Sequence, residues 1–154
     1  MNELRLSVEL VPSTSWGSNV RAVLTKQQWA VLSKSVRSKA YDICNACGGE
    51  ATDCHEVWAY DDQKQSQKLT GMVALCHACH EVKHIGLAGI RGHGERAIKH
   101  FMRVNELSRR QAEKVIQRAF DVWAERSEVE WTLDISILSD YGVDMSKIKE
   151  PIEL

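Results

Sequence analysis

Five cysteines and four of the six histidines fall between Cys44 and His84, a span of 41 residues in a chain of 154. Cys44/Cys47 and Cys76/Cys79 are two Cys-x-x-Cys pairs, and each pair can close a tight turn that aims both sulfurs at one ion. Together they make the tetrahedral sulfur shell that structural zinc prefers. Gly48-Gly49 directly after the first pair suits such a knuckle. The 28 residues between Cys47 and Cys76 exceed a usual zinc-ribbon gap, so a small substructure must sit between the knuckles. Thiols stay reduced in the cytosol, where paired cysteines favour metal over disulfide.

His80 and His84 stand at i and i+4 after the second pair, the spacing with which one helix face chelates a metal. His55, on an expected strand, can complete a three-histidine site for a second divalent ion (Mg, Mn, Ni or Zn). Glu81 is expected on another side of the helix, in solvent. Cys54, the fifth cysteine, reads either as a small buried residue or as a metal ligand. Trp58 reads as core rather than as a base-stacking platform, and Asp61 and Asp62 as a solvated turn rather than a cation site.

The elements that must position these groups follow from periodicity and caps. Residues 52–58 read as a strand, 60–70 as a polar loop, 71–75 as a returning strand and Cys79 onward as a helix closed by Gly86. Upstream, residues 4–11 alternate apolar and polar, as a half-buried strand does. Thr25 and Gln28 form a capping box ahead of the stripe Trp29, Leu32, Val36 and Ala40. Downstream, Gly89, Gly92 and Gly94 break the chain into a connector or a loop of close approach. A helix over 95–104 follows, with Ala97, Ile98, Phe101 and Val104 inward. Ser108 and Gln111 box a further helix with the stripe Ala112, Val115, Ile116, Ala119, Phe120 and Trp123. This helical pair, residues 93–126, reads as packing against the metal module more than as a DNA-reading helix-turn-helix. Residues 129–135 alternate again and predict a second strand, which can pair with 4–11. The expectation is one α+β domain over 1–154 around a metal module at 44–86.

The 27% of charged residues and 44% of apolar ones suit a soluble globular chain with an ordinary core. No apolar run approaches the roughly 20 residues of a membrane span. The first ten residues lack a basic region followed by an apolar one, so a cytoplasmic location is expected. The net charge of −1 argues against a protein that coats nucleic acid. Its distribution is uneven, however. Residues 81–118 carry 9 basic and 4 acidic side chains, and residues 119–154 carry 3 and 9. A basic middle of this kind is either a solvated face or a local phosphate-binding one. Arg91, Arg96, Lys99 and Arg103 are its candidate backbone contacts.

Cys-x-x-Cys, a strand ending His55-Glu56-Val57, and Leu75-Cys76-x-x-Cys79-His80-x-x-x-His84 together resemble the HNH endonuclease superfamily. The long insert before His80 and the His-x-x-x-His resemble the nuclease colicins, and the wider chain a bacterial and phage group of the superfamily. The resemblance implies a zinc-stapled ββα-metal core with flanking helices and terminal strands. It also implies metal-dependent hydrolysis of phosphodiesters, DNA favoured, with one strand residue as general base. Two registers are open. With Val57 in the apolar slot, His55 is a metal ligand and Glu56 the base. With His55 as base, Cys54 is the ligand. The first keeps Val57 buried and three histidines on the metal, and its catalytic set is His55, Glu56 and His80. Gly71 stands where the family has an asparagine that braces the ββ loop. The alternative function is a catalytically inactive zinc module of this fold that binds nucleic acid or a protein partner, as in phage–host defence.

Overall fold

In a computed structural model, residues 3–17 and 19–148 are described. The first part of the chain runs as extended coil to a 3-10 turn at Ser13–Ser15, then a single-turn helix α1 (Val20–Val23) and α2 (Lys26–Lys39). Both halves of the Thr25/Gln28 capping box form, so α2 starts where the sequence places it. Leu32 and Val36 are buried along its inner face.

The hairpin β1 (Asp53–Asp61) and β2 (Ser66–Leu75) follows, antiparallel and longer than expected. The polar stretch 60–70 is mostly strand, and residues 62–65 alone turn the chain. Asp61 closes that turn locally, its Oδ1 accepting from the amides of Gln63 and Lys64 at 3.1 and 3.0 Å. Val57 pairs with Gly71 and Trp58 with Leu69, which leaves Thr70 as the extra residue of a bulge. The Thr70 hydroxyl donates to Val57 O at 3.2 Å. This one-residue slip puts Leu69 and Met72 on the same face despite their odd spacing, and both are buried in one core.

Four helices follow the hairpin: α3 (His77–Lys83), α4 (Ile85–Ile90), α5 (Gly94–Asn105) and α6 (Arg109–Arg126). Gly86 is not the cap of α3. The helix breaks at His84, whose backbone leaves helical values (φ −111°, ψ 47°), and Gly86 lies inside α4. Gly94 is a position of close approach: a Cβ there would lie 3.3 Å from the Gly89 Cα, so α5 enters tight against α4. The Ser108/Gln111 box starts α6.

The last strand is only β3 (Thr132–Asp134), and it pairs parallel with β2, giving the sheet order β1-β2-β3. Residues 4–11 form no strand and do not pair with 129–135. The segment packs instead along the helical side of the fold, where Leu6 is buried, Val8 and Leu10 are partly buried against the same core, and Leu4 is exposed. Leu6 is fully buried, and Asn105 takes both its backbone groups, Oδ1 accepting from Leu6 N at 3.0 Å and Nδ2 donating to Leu6 O at 2.8 Å.

The hairpin feeds two cores, one on each face. Leu75 joins Leu6, Val82, Ile85, Phe101 and Ile116 on the side of α3–α6. Cys54, Leu69 and Met72 join Val20, Leu32 and Leu138 on the side of α1, α2 and a 3-10 helix at Ser136–Tyr141. Each fully buried large apolar side chain contributes about 1.5–3 kcal/mol. The chain is thus a mixed α+β fold with a three-stranded sheet and a four-cysteine cluster. No helix among the described residues is long and apolar enough to cross a membrane.

Candidate metal centres

Cys44, Cys47, Cys76 and Cys79 bring one sulfur each within 4.8 Å of one another. The first pair lies in the turn after α2 and the second at the junction of β2 and α3, so the set clamps both ends of the hairpin. A tetrahedral shell with metal–sulfur bonds of about 2.3 Å requires sulfurs about 3.8 Å apart. Cys47 Sγ and Cys76 Sγ are 3.7 Å apart. Donors to the sulfurs are already in place: Gly49 N to Cys47 at 3.5 Å, Cys79 N to Cys76 at 3.4 Å, and His100 Nε2 to Cys79 at 3.2 Å. Burial acts to raise the Cys44 thiol, but the backbone amides of Cys47, Cys76 and Ala46 outweigh it and lower it to about 7. Burial holds Cys76 and Cys79 high until a cation draws off their protons. The four cysteines form a set fit to hold a metal ion such as zinc.

His55, His80 and His84 form a second set within 4.8 Å. Their ring centroids are 5.3, 5.3 and 5.1 Å apart, close to an equilateral triangle. Rings aimed at a common tetrahedral centre, with metal–nitrogen bonds of about 2.1 Å, would have centroids about 5.2 Å apart. His55 comes from the middle of β1, His80 from α3, and His84 from the residue that ends α3. His84 is therefore no longer helical, yet it stays on the side of His80.

Two of the three rings are held by carboxylates. Asp53 Oδ2 accepts from His80 Nδ1 at 2.9 Å and from His77 Nδ1 at 3.2 Å. Glu9 Oε2 lies 2.6 Å from His55 Nε2, and Glu9 Oε1 lies 3.4 Å from Lys83 Nζ, which also donates to Ser7 Oγ at 2.9 Å. Such carboxylate–histidine pairs fix the ring and tautomer that a metal ligand needs. Burial lowers His55 against the pull of Glu9, and burial with the neighbouring histidines lowers His84 to about 4, so His84 is neutral at pH 7. Burial acts to raise Glu9, but the hydrogen bond with His55 and the Lys83 charge prevail and hold it below its ordinary value.

Neither Cys54 nor Glu56 joins these histidines. Adjacent strand residues point to opposite faces, so His55 shares its side with Asp53, and Cys54 shares the other with Glu56. The Glu56 carboxylate accepts from the backbone amides of Val20 and Arg21 at the start of α1, and burial raises it. Cys54 is buried, its thiol pushed up to about 12 by burial and the Glu56 charge. Glu81 is not in solvent: its side chain is 13% exposed and takes a bidentate pair from Arg96 at 2.8 and 2.6 Å. Of the four basic candidates, Arg96 is held by Glu81 and Arg103 by His100, while Arg91 and Lys99 are exposed. Asp62 pairs with Arg126 at 3.2 Å. Trp58 packs on the α2-side core.

The sequence reading missed Asp53, Glu9 and His100. Asp53 was legible in principle, two residues before His55 and so on its face. Glu9 and His100 come from distant segments and carry no local signal. Comparison with protein-family models, with curated proteins and with solved structures finds no match.

Proposed function

We propose that the chain is a metal-dependent endonuclease of the HNH type that hydrolyses phosphodiester bonds of nucleic acid, DNA favoured. The observation that supports this most is the triangle of His55, His80 and His84, built on a hairpin and helix clamped at both ends by four cysteines. On this reading zinc fills the sulfur set as a staple, and the histidines hold a second divalent ion. That ion would polarise a phosphate oxygen and lower the pKa of a bound water towards 7. Glu9 and Asp53 keep the His55 and His80 rings aimed. Lys83, bound to Glu9, balances the carboxylate so that the pocket is not left strongly negative. Arg91 and Lys99 offer charge to the sugar–phosphate backbone, which makes binding weaken with salt. Glu56 has no part in this mechanism, because its carboxylate is occupied on the far face.

The expected result is nicking of plasmid or cleavage of single-stranded DNA with a divalent metal. His80→Ala should abolish it while the zinc of the four cysteines stays bound. No cleavage across Mg²⁺, Mn²⁺, Ni²⁺ and Zn²⁺ would sink the proposal.

The position of Glu56 favours a second reading, a non-catalytic zinc module that binds nucleic acid or a protein partner. One tightly held zinc per chain and unaltered folding of His84→Ala would support it. Two metals per chain, one of them labile, would support the nuclease.

A further inference from the structure

The sulfurs of the four-cysteine set do not all have the same surroundings. Among the described residues, and apart from the cysteines' own sulfurs, the donors to Cys44, Cys47 and Cys76 are backbone amides. Cys79 is different: its Sγ lies 3.2 Å from Nε2 of His100, a side chain of α5. On the other side of the ring, Arg103 Nη2 lies 3.0 Å from His100 Nδ1. Arginine has five N–H donors and no acceptor. Nδ1 must therefore be the bare, accepting nitrogen, and the single ring proton must sit on Nε2. His100 is thereby fixed as a donor to sulfur.

We propose that the Arg103–His100 pair is a hydrogen-bonded outer shell of the four-sulfur site, positioned to hold Cys79 as a metal-bound thiolate and to slow its loss to protons and electrophiles. The physical reason is charge. A four-thiolate zinc site carries two negative charges in excess, and an N–H aimed at one sulfur draws density from it. Charge-assisted donors of this kind are the stronger hydrogen bonds. Arg103 adds to the effect by polarising the ring, since its guanidinium is always charged. Cys79 needs the help because it is fully buried, so water cannot solvate its thiolate. The geometry also gives α5 a reason to lie where it does. Phe101 anchors it in the core one residue after His100, which fixes the ring against the sulfur.

His100 is a positioning residue, acting through Cys79. This inference rests on the reading that the four cysteines hold zinc, and the experiment separates the two. Zinc content of the purified chain is measured first, then the rate of zinc transfer to a colorimetric chelator, then the rate of Cys79 alkylation by iodoacetamide, mapped by peptide mass spectrometry. A wild-type chain without zinc overturns the sulfur-site reading itself. With one zinc bound at the cysteines, His100→Ala should keep the metal but release it about tenfold faster or more, with Cys79 alkylated faster than Cys47 relative to wild type. His100→Gln, which can return an N–H near the same place, should restore much of the difference. A merely structural role for the ring predicts no such rescue. Release and alkylation rates in His100→Ala equal to wild type overturn the inference. If His100→Ala does not fold, Arg103→Met decides, because that residue is exposed and leaves the ring in place. It should speed release by a smaller factor, and a wild-type rate would overturn the inference.

Discussion

Replacing Glu9 by Gln keeps the side-chain shape and removes its charge. Glu9 receives two groups, His55 Nε2 at 2.6 Å and Lys83 Nζ at 3.4 Å. Gln has one carbonyl oxygen, so one of these groups must face its NH₂. Lys83, whose side chain is 10% exposed, would keep only the Ser7 hydroxyl. Stranding a fully buried charge costs about 3–5 kcal/mol, whereas breaking an exposed pair costs below about 1. The Glu9 side chain is 37% exposed, so solvent screening places the expected loss between these limits, at about 2 kcal/mol. With a urea slope of about 2 kcal/mol/M, the unfolding midpoint at pH 7 should fall by about 1 M. Adding Lys83→Met should recover part of that loss, because the stranded ammonium is then gone. The pH dependence has a fixed sign. Glu9 is held below its ordinary value, so its contribution is present above pH 4.5 and is lost as pH falls through the lower folded value. The gap between wild type and Glu9→Gln should therefore close in acid. A midpoint unchanged within about 0.2 M, or a double variant as unstable as the two single losses summed, would refute the coupling of Glu9 to Lys83.

Two further outcomes follow from single contacts. His84 is lowered to about 4 in the folded chain, so between pH 6.5 and 4 the unfolded chain binds a proton that the folded one does not. Metal-free protein should lose stability on acidification through that window, by no more than about 3 kcal/mol from this group, and denaturation at several pH values should show His84→Gln flattening the slope. Tyr141→Phe removes the hydroxyl that accepts from Met72 N at 3.0 Å beside the bulge, and should cost about 1–2 kcal/mol in chemical denaturation with the fold retained.

What could be read from the sequence was what local spacing determines. Thr25 with Gln28 and Ser108 with Gln111 name their own helix starts, because a cap involves neighbours three residues apart. Two Cys-x-x-Cys pairs name a four-sulfur cluster for the same reason. The site's supporting groups were hidden because they are tertiary. Glu9 reaches His55 across 46 residues, and His100 reaches Cys79 across 21. The first segment misled because an alternating pattern does not say what the backbone pairs with, and here only Leu6 of its apolar residues is fully buried while Leu4 is exposed. Leu6 is buried against helices, where an Asn105 side chain replaces a strand partner. The hairpin was underestimated because residues 66–70 of β2 alternate between buried and exposed with a polar side chain, Gln67, at one of the buried positions, which hydrophobicity alone does not reveal.

The seven residues of α3 carry Cys79 and His80 side by side, with Cys76 capping the start and His84 ending the helix. Ions at the two sets would therefore share one short rigid body. By linkage, whatever factor the first ion adds to the affinity of the second, the second must add to the first. A chelator that strips the sulfurs should then weaken the histidine set without touching it, and an ion at the histidines should slow the stripping. With ions at both sets, the helix would tie two chemically unlike sites into one coupled unit.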